Sequence, residues 1–197
     1  MKIEKFVCGP LAANGYIIYQ DKGGSAYIID PGYKANLYKD FVFENELKVI
    51  GILLTHHHHD HAGEAVKLAA EFGVNIFAHR REEPFSKINI NEVFEGGEIL
   101  DLDGESLEVI LTPGHTAGGI CLYSDKSKIC FTGDTLFKIE TGLVDLPGGS
   151  EDEMRDTMRN IIDKWPNELT VYPGHGDSGT MKFVRENNEE FIWYMDN

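Results

Sequence analysis

The run Thr55-His56-His57-His58-His59-Asp60-His61 packs five imidazoles and a carboxylate into one short stretch. Imidazole and carboxylate groups together suit zinc, iron or manganese, and without a cysteine among them the set has borderline to hard character. In an extended segment alternate residues share a side, so His56 and His58 present their rings together. His57 and His59 then point elsewhere and read as spacers. A solvated polar loop does not explain such a run, and an appended tag does not fit an internal stretch broken by Asp60.

Three further groups carry similar chemistry, and each follows a strand-like run. Thr112-Pro113-Gly114-His115-Thr116 follows a run ending at Leu111, Gly133-Asp134-Thr135 follows Ile129 to Phe131, and Pro173-Gly174-His175-Gly176 follows Val171-Tyr172. Of eight histidines, only His79 lies outside these groups and the first cluster. Glycine and proline beside a ligand let the backbone turn sharply into a crowded site. Asp30, in Asp30-Pro31-Gly32, is either a turn residue or an acceptor that orients a ligand imidazole. His79 ends a strand and is either a surface residue or one that faces the mouth of a pocket.

The elements that must position these residues can be read in order. Strands are expected at Ile3 to Cys8, Gly15 to Tyr19 and Ser25 to Ile29, the last two joined by the turn Asp21-Lys22-Gly23-Gly24. A helix over Lys34 to Leu47 leads to the apolar strand 49–54, the histidine loop and a helix over 62–72. That loop leaves a buried strand, where open α/β sheets place ligand sites. Asn75 to Ala78 is a short strand, and 80–97 is irregular. Strands at Ile99 to Leu102, Ser106 to Leu111, Gly119 to Tyr123 and Ile129 to Phe131 follow. Ser150-Glu151-Asp152-Glu153 is a capping box opening a helix that runs to about Lys164. A strand at Leu169 to Tyr172 and a helix near Thr180 to Tyr194 close the chain.

At 197 residues and 22.1 kDa the chain suits one domain, 1–197, with two sheets packed between helices. Its formal net charge of −15 opposes a nucleic-acid partner. No stretch approaches the ~20 apolar residues of a membrane span. Met1 to Asn14 lacks the basic start and apolar core of a signal peptide. Cys8, Cys121 and Cys130 lie in apolar segments and read as reduced, buried thiols, which fits a cytoplasmic protein. The expected partner is a small-molecule substrate, and the chain is a monomer or a homodimer.

With these residues in view, the chain resembles the metallo-β-lactamase superfamily. The resemblance rests on His56-x-His58-x-Asp60-His61, His115, Asp134 and His175 in that order. Asp30-Pro31-Gly32, Thr112 to Gly118, Gly133 to Phe137 and Pro173 to Gly176 look most like the glyoxalase II branch. The resemblance implies an α/β fold, a four-layer αββα sandwich of two mixed sheets, with a two-metal site at one edge. It implies that His56, His58 and His115 hold one divalent ion and Asp60, His61 and His175 a second, with Asp134 bridging. Zinc is the expected metal, with iron or manganese as alternatives.

Two such ions, roughly 3.5–4 Å apart, share a water and lower its pKa towards ~7, with Asp60 and Asp134 the carboxylates of the reacting centre. One ion also polarises a carbonyl. No motif supplies a general acid, so a leaving group that departs unprotonated is favoured. Thiols have pKa values near ~8.5, which points to a thioester such as a hydroxyacylglutathione. Two departures from glyoxalase II bear on the thiol. The chain ends twenty-two residues after His175, without the helical domain that helps to bind glutathione in larger relatives. Leu143 stands where relatives carry Arg or Lys after a glycine, and Lys138 is the nearby basic candidate for the substrate pocket. The alternatives are a persulfide dioxygenase with a single iron, a lactone or ester hydrolase, and a catalytically silent metal-binding module. His58 argues against a diiron oxygen- or nitric oxide-reducing domain, and Asp134 against β-lactam hydrolysis.

Overall fold

Runs of alternating or continuous apolar residues in the first half become strands of one sheet. The computed structural model describes residues 1–197. β1 (Lys2–Cys8), β2 (Ala13–Tyr19) and β3 (Ser25–Ile29) pair antiparallel in sequence. After α1 (Ala35–Glu44) comes β4 (Lys48–Leu53), which lies parallel to β3. The helix expected over 62–72 is two, α2 (His59–Ala62) and α3 (Ala65–Phe72), so Asp60 and His61 stand on a helical turn. β5 (Ile76–His79) continues the parallel run. The stretch read as irregular contains a 3₁₀ turn, Arg80–Glu82, and β6 (Glu92–Phe94), which pairs parallel to β5. Three residues are too few to show a period, so β6 depends on its partner strand.

The second sheet is built from β7 (Ile99–Leu102), β8 (Glu105–Leu111), β9 (Ile120–Ser124) and β10 (Ile129–Gly133), all antiparallel. α4 (Glu151–Asn160) starts at its cap Ser150, whose Oγ accepts the Glu153 N–H at 3.3 Å. The Glu153 carboxylate does not reach back to complete the box and instead accepts from Arg81 at 2.6 Å. β11 (Thr170–Pro173) is parallel to β10, and β12 (Gly179–Thr180) forms the edge. The final helix is split into α5 (Met181–Asn187) and α6 (Glu189–Asp196) by Asn188. Its side chain accepts from Phe191 N at 2.9 Å and donates to the carbonyls of Phe137 and Glu140.

Three buried clusters define four layers. One packs α1 and α3 on the first sheet through Tyr38, Val42 and Leu68. A second lies between the sheets, where Tyr16, Ile18 and Leu53 meet Leu107, Leu122 and Phe131. The third packs α4, α5 and α6 on the second sheet through Met154, Met158, Val184 and Phe191. This is the αββα sandwich expected from the sequence, with two six-stranded sheets. Cys8, Cys121 and Cys130 are free and buried. No helix is long and apolar enough to cross a membrane.

Candidate metal centre

Parallel strands end at the same edge, and that edge is where the chemistry collects. In the first sheet, β3 delivers Asp30 and β4 delivers the histidine loop. In the second, β10 and β11 are parallel and deliver Asp134 and His175, and β8, antiparallel to the intervening β9, runs the same way and delivers His115. The two rims are tied to each other. Asn14 donates its backbone N–H to Gly174 O at 2.7 Å and its side-chain amide to Pro173 O at 2.9 Å. The Tyr16 hydroxyl donates to the same Pro173 carbonyl at 2.6 Å, and Ile120 N to Thr55 O at 2.9 Å. Strand β2 thus holds the His175 loop against the other sheet, a role that Asn14 and Tyr16 did not advertise in the sequence.

Seven side chains converge. His56, His58 and His115 bring one nitrogen each to within 4.8 Å of one another, and Asp60, His61 and His175 do the same with their ligand atoms. Asp134 lies between the two sets. Its Oδ2 is 3.9 Å from His56 Nε2, 3.7 Å from His115 Nε2 and 3.4 Å from His175 Nε2, and its Oδ1 is 3.4 Å from His61 Nε2. Asp60 Oδ2 lies 3.5 Å from His61 Nε2 and 3.4 Å from His175 Nε2.

Neighbouring acceptors fix which nitrogen each ring turns inward. His115 Nδ1 donates to Leu143 O at 2.7 Å and His175 Nδ1 to Leu11 O at 3.1 Å, which leaves both Nε2 lone pairs facing the centre. His115 Nε2 then meets His58 Nδ1 at 2.9 Å, and His61 Nε2 meets His175 Nε2 at 3.2 Å. Two lone pairs at such distances repel unless a proton or a cation lies between them. His56 Nε2 and Asp134 Oδ1 are buried with no hydrogen-bond partner, a costly state for polar atoms. Such a donor set fits divalent ions.

Charge divides the centre into unlike halves. Burial, with the imidazoles of His115 and His57, pushes His58 down to about 4, and burial lowers His56 and His115 as well. Those three rings are neutral at pH 7, the form that ligates. On the other side burial opposes protonation, but Asp134 and Asp60 outweigh it and raise His175 to about 10. His61 is raised in the same way by Asp134, Asp30 and Asp60. Burial would raise the two carboxyls, yet His175 and His61 hold Asp60 down to about 2, and His61, His175 and His115 keep Asp134 below the usual carboxylate range. In that half the carboxylates favour a positive charge between the rings, whether a proton or a metal cation.

Asp30 is buried with φ +49°, and its oxygens accept Thr55 N at 2.8 Å and Thr55 Oγ1 at 2.6 Å. Its Oδ2 also lies 3.5 Å from His61 Nδ1. The carboxylate therefore anchors the start of the histidine loop and faces the outer nitrogen of His61. His79 is neither a surface residue nor part of the cleft over the centre. It is buried, and its Nδ1 accepts from Arg81 N at 3.1 Å, because the chain turns into a 3₁₀ segment directly after β5 and the ring caps it.

His57 is more than a spacer. Its Nδ1 lies 2.5 Å from Glu82 Oε2, which also accepts the His57 backbone N–H at 2.8 Å, while Glu82 Oε1 accepts from Gly118 N at 2.6 Å. Glu82 is fully buried. Burial would raise its carboxyl, but His57 and the Thr116 and Gly118 hydrogen bonds hold it below the usual range. One carboxylate thus joins the loop carrying His56 and His58 to the loop after His115. Glu82 was not picked out of the sequence, since nothing near it in the chain marks it.

The open face of the centre is a cleft of about 610 Å³ that includes Leu143. Lys138 does not line it. Its ammonium lies 4.8 Å over the Phe183 ring, in the wall of an adjoining cavity that shares Phe137, Glu140 and His175 with the cleft.

Known proteins of similar sequence and shape share this architecture. The sequence profile of the metallo-beta-lactamase superfamily matches residues 8–175. The hydroxyacylglutathione hydrolase GloC of Haemophilus influenzae is 30% identical over 206 residues, covering 95% of this chain and 97% of that protein. The crystal structure of the B3 metallo-beta-lactamase BLEG-1 has a TM-score of 0.88 at 26% identity, covering 95% of this chain and 98% of that chain. TTHA1623 in a di-iron-bound form has a TM-score of 0.81 at 25% identity, covering 94% and 98% respectively.

Proposed function

The chain belongs to the metallo-beta-lactamase superfamily, and from that premise we propose that it is a metal-dependent hydrolase acting on a thioester. One observation carries the reading. Imidazole nitrogens and carboxylate oxygens of seven side chains converge on one centre, where His58 and His115, and His61 and His175, bring ring nitrogens together and His56 Nε2 and Asp134 Oδ1 are buried with no hydrogen-bond partner. We assign His56, His58 and His115 to one ion, Asp60, His61 and His175 to a second, and Asp134 to both. When bound, such ions supply an activated water and polarise a carbonyl oxygen.

The protein's own groups do the rest. Leu143 O and Leu11 O hold His115 and His175 in the tautomer that ligates through Nε2. Asp30 fixes Thr55 and thereby the start of the histidine loop. The cleft bounds the space over the centre in which the acyl group must lie. In the reaction the oxygen of water bonds to the acyl carbon, the C–S bond breaks with its electron pair leaving on sulfur, and of the two protons of the water one ends on the departed thiolate and one in solvent, giving a carboxylate and a thiol. A thiolate leaves without prior protonation, whereas an amide nitrogen needs a proton. GloC, whose name gives a thioester as its substrate, supports the same bond type.

Asp134→Ala tests the assignment. It leaves the two candidate sites without their common carboxylate, so bound metal should fall from about two to one or fewer per chain. Thioester hydrolysis should fall by about 10² or more. A variant with undiminished metal content and turnover would show that Asp134 does not join the two sites.

A further inference from the structure

The wall of the open cleft has a definite chemical character. Leu11 and Leu143 are 64% and 65% exposed there, with Leu146 and Phe137 beside them. Beyond the candidate ligands, its charged residues are Glu140 and Glu190. Glu190 is held in place by Thr141, which donates its N–H at 2.6 Å and its hydroxyl at 2.8 Å.

Across Thr141 to Leu143 the cleft runs into a second groove of about 410 Å³, whose wall adds Asp145, Glu189 and the half-exposed Trp193. No lysine or arginine lines either groove. Arg155 pairs with Glu151 at 2.8 Å and Asp152 at 2.9 Å. Lys138 lies over Phe183 in an adjoining cavity that shares Phe137, Glu140 and His175 with the cleft, and Lys87 lines a different cleft, on the far flank of His57 to His59.

Two physical consequences follow. A carboxylate on the substrate would face Glu140 and Glu190 with no paired cation in the wall, in a chain whose formal charge is −15. An aliphatic arm, by contrast, would cover leucines that otherwise stand in water, and burial of apolar area favours it.

We propose that this cleft selects thioesters whose arm is aliphatic and carries no negative charge, in preference to anionic conjugates of the glutathione kind. The proposal rests on the hydrolase reading of the same centre, and binding and turnover together separate the two. The metal-loaded chain is titrated with two uncleavable thioethers, S-hexyl-N-acetylcysteamine and S-hexylglutathione, which share the hexyl group and differ in the charge of the carrier. Hydrolysis of hexanoyl-N-acetylcysteamine and of S-lactoylglutathione is followed on the same preparation.

The uncharged thioether should bind about tenfold more tightly. Leu143→Arg, which places a guanidinium in the wall, should narrow that ratio by improving S-hexylglutathione binding. Equal or tighter binding of S-hexylglutathione by the unaltered protein, or binding of neither thioether, overturns the proposal. A preference for the uncharged thioether with no turnover of either thioester supports the cleft assignment and counts against the hydrolase reading.

Discussion

Glu82 shows how a ligand-bearing loop is held by a residue that touches no metal. Its carboxylate satisfies the backbone N–H groups of His57 and Gly118 and the His57 ring at once. Replacing it by Gln sets an amide NH₂ against at least one of those donors, so Glu82→Gln should cost about 2–3 kcal/mol at pH 7. The folded protein holds this carboxyl below its ordinary value, so its contribution is present above the unfolded pKa and is lost as pH falls through the folded one. Denaturant unfolding of both proteins should therefore show a gap that closes on acidification. A gap that widens towards acid pH would contradict the ionised brace. At this scale the ligand types were legible, because imidazoles and carboxylates at strand ends carry their chemistry in their names. The brace was not. Glu82 lies twenty-five residues from His57, and only the fold makes them neighbours.

At the scale of elements, glycine sets how closely the two rims approach. A side chain on Gly174 would run into Asp134 Oδ1 and come within 2.8 Å of His61 Cε1, so a methyl group there must push the second candidate site apart. Gly73, which ends α3 at φ +67°, has open space around it. Gly174→Ala should lower metal content and activity about tenfold or more, whereas Gly73→Ala should cost about 1 kcal/mol of stability and leave metal content unchanged. Loss of metal from both variants in proportion to stability would mean that global weakening, not the close approach, is responsible. The strands were legible from apolar runs and turns. The helix breaks were less so, since the apolar spacing runs on through Gly63-Glu64 and through Asn188, and capping by the Asn188 side chain is a tertiary outcome. β6 was missed for a related reason, because its only support is the pairing with β5.

Over the whole molecule, two sheets meet at an apolar interface and place their parallel-strand ends at one edge, and the centre exists only where the two rims join. That arrangement was legible as a family pattern, because the ligand groups recur in order along most of the chain. The character of the cleft was not, since Leu11, Glu140 and Glu190 are far apart in sequence and share a wall only through folding. The central claim is that hydrolysis belongs to metal held at this centre. It is tested most directly by one assay series on one preparation: metal per chain and hydrolysis of hexanoyl-N-acetylcysteamine and S-lactoylglutathione, as isolated, after chelation, and after return of zinc, iron or manganese. The expected result is about two ions per chain, loss of about 10² or more in rate on chelation, and recovery on return of metal. Hydrolysis that persists undiminished in the metal-free chain would contradict it, as would a single iron accompanied by oxygen uptake on a persulfide in place of thioester cleavage.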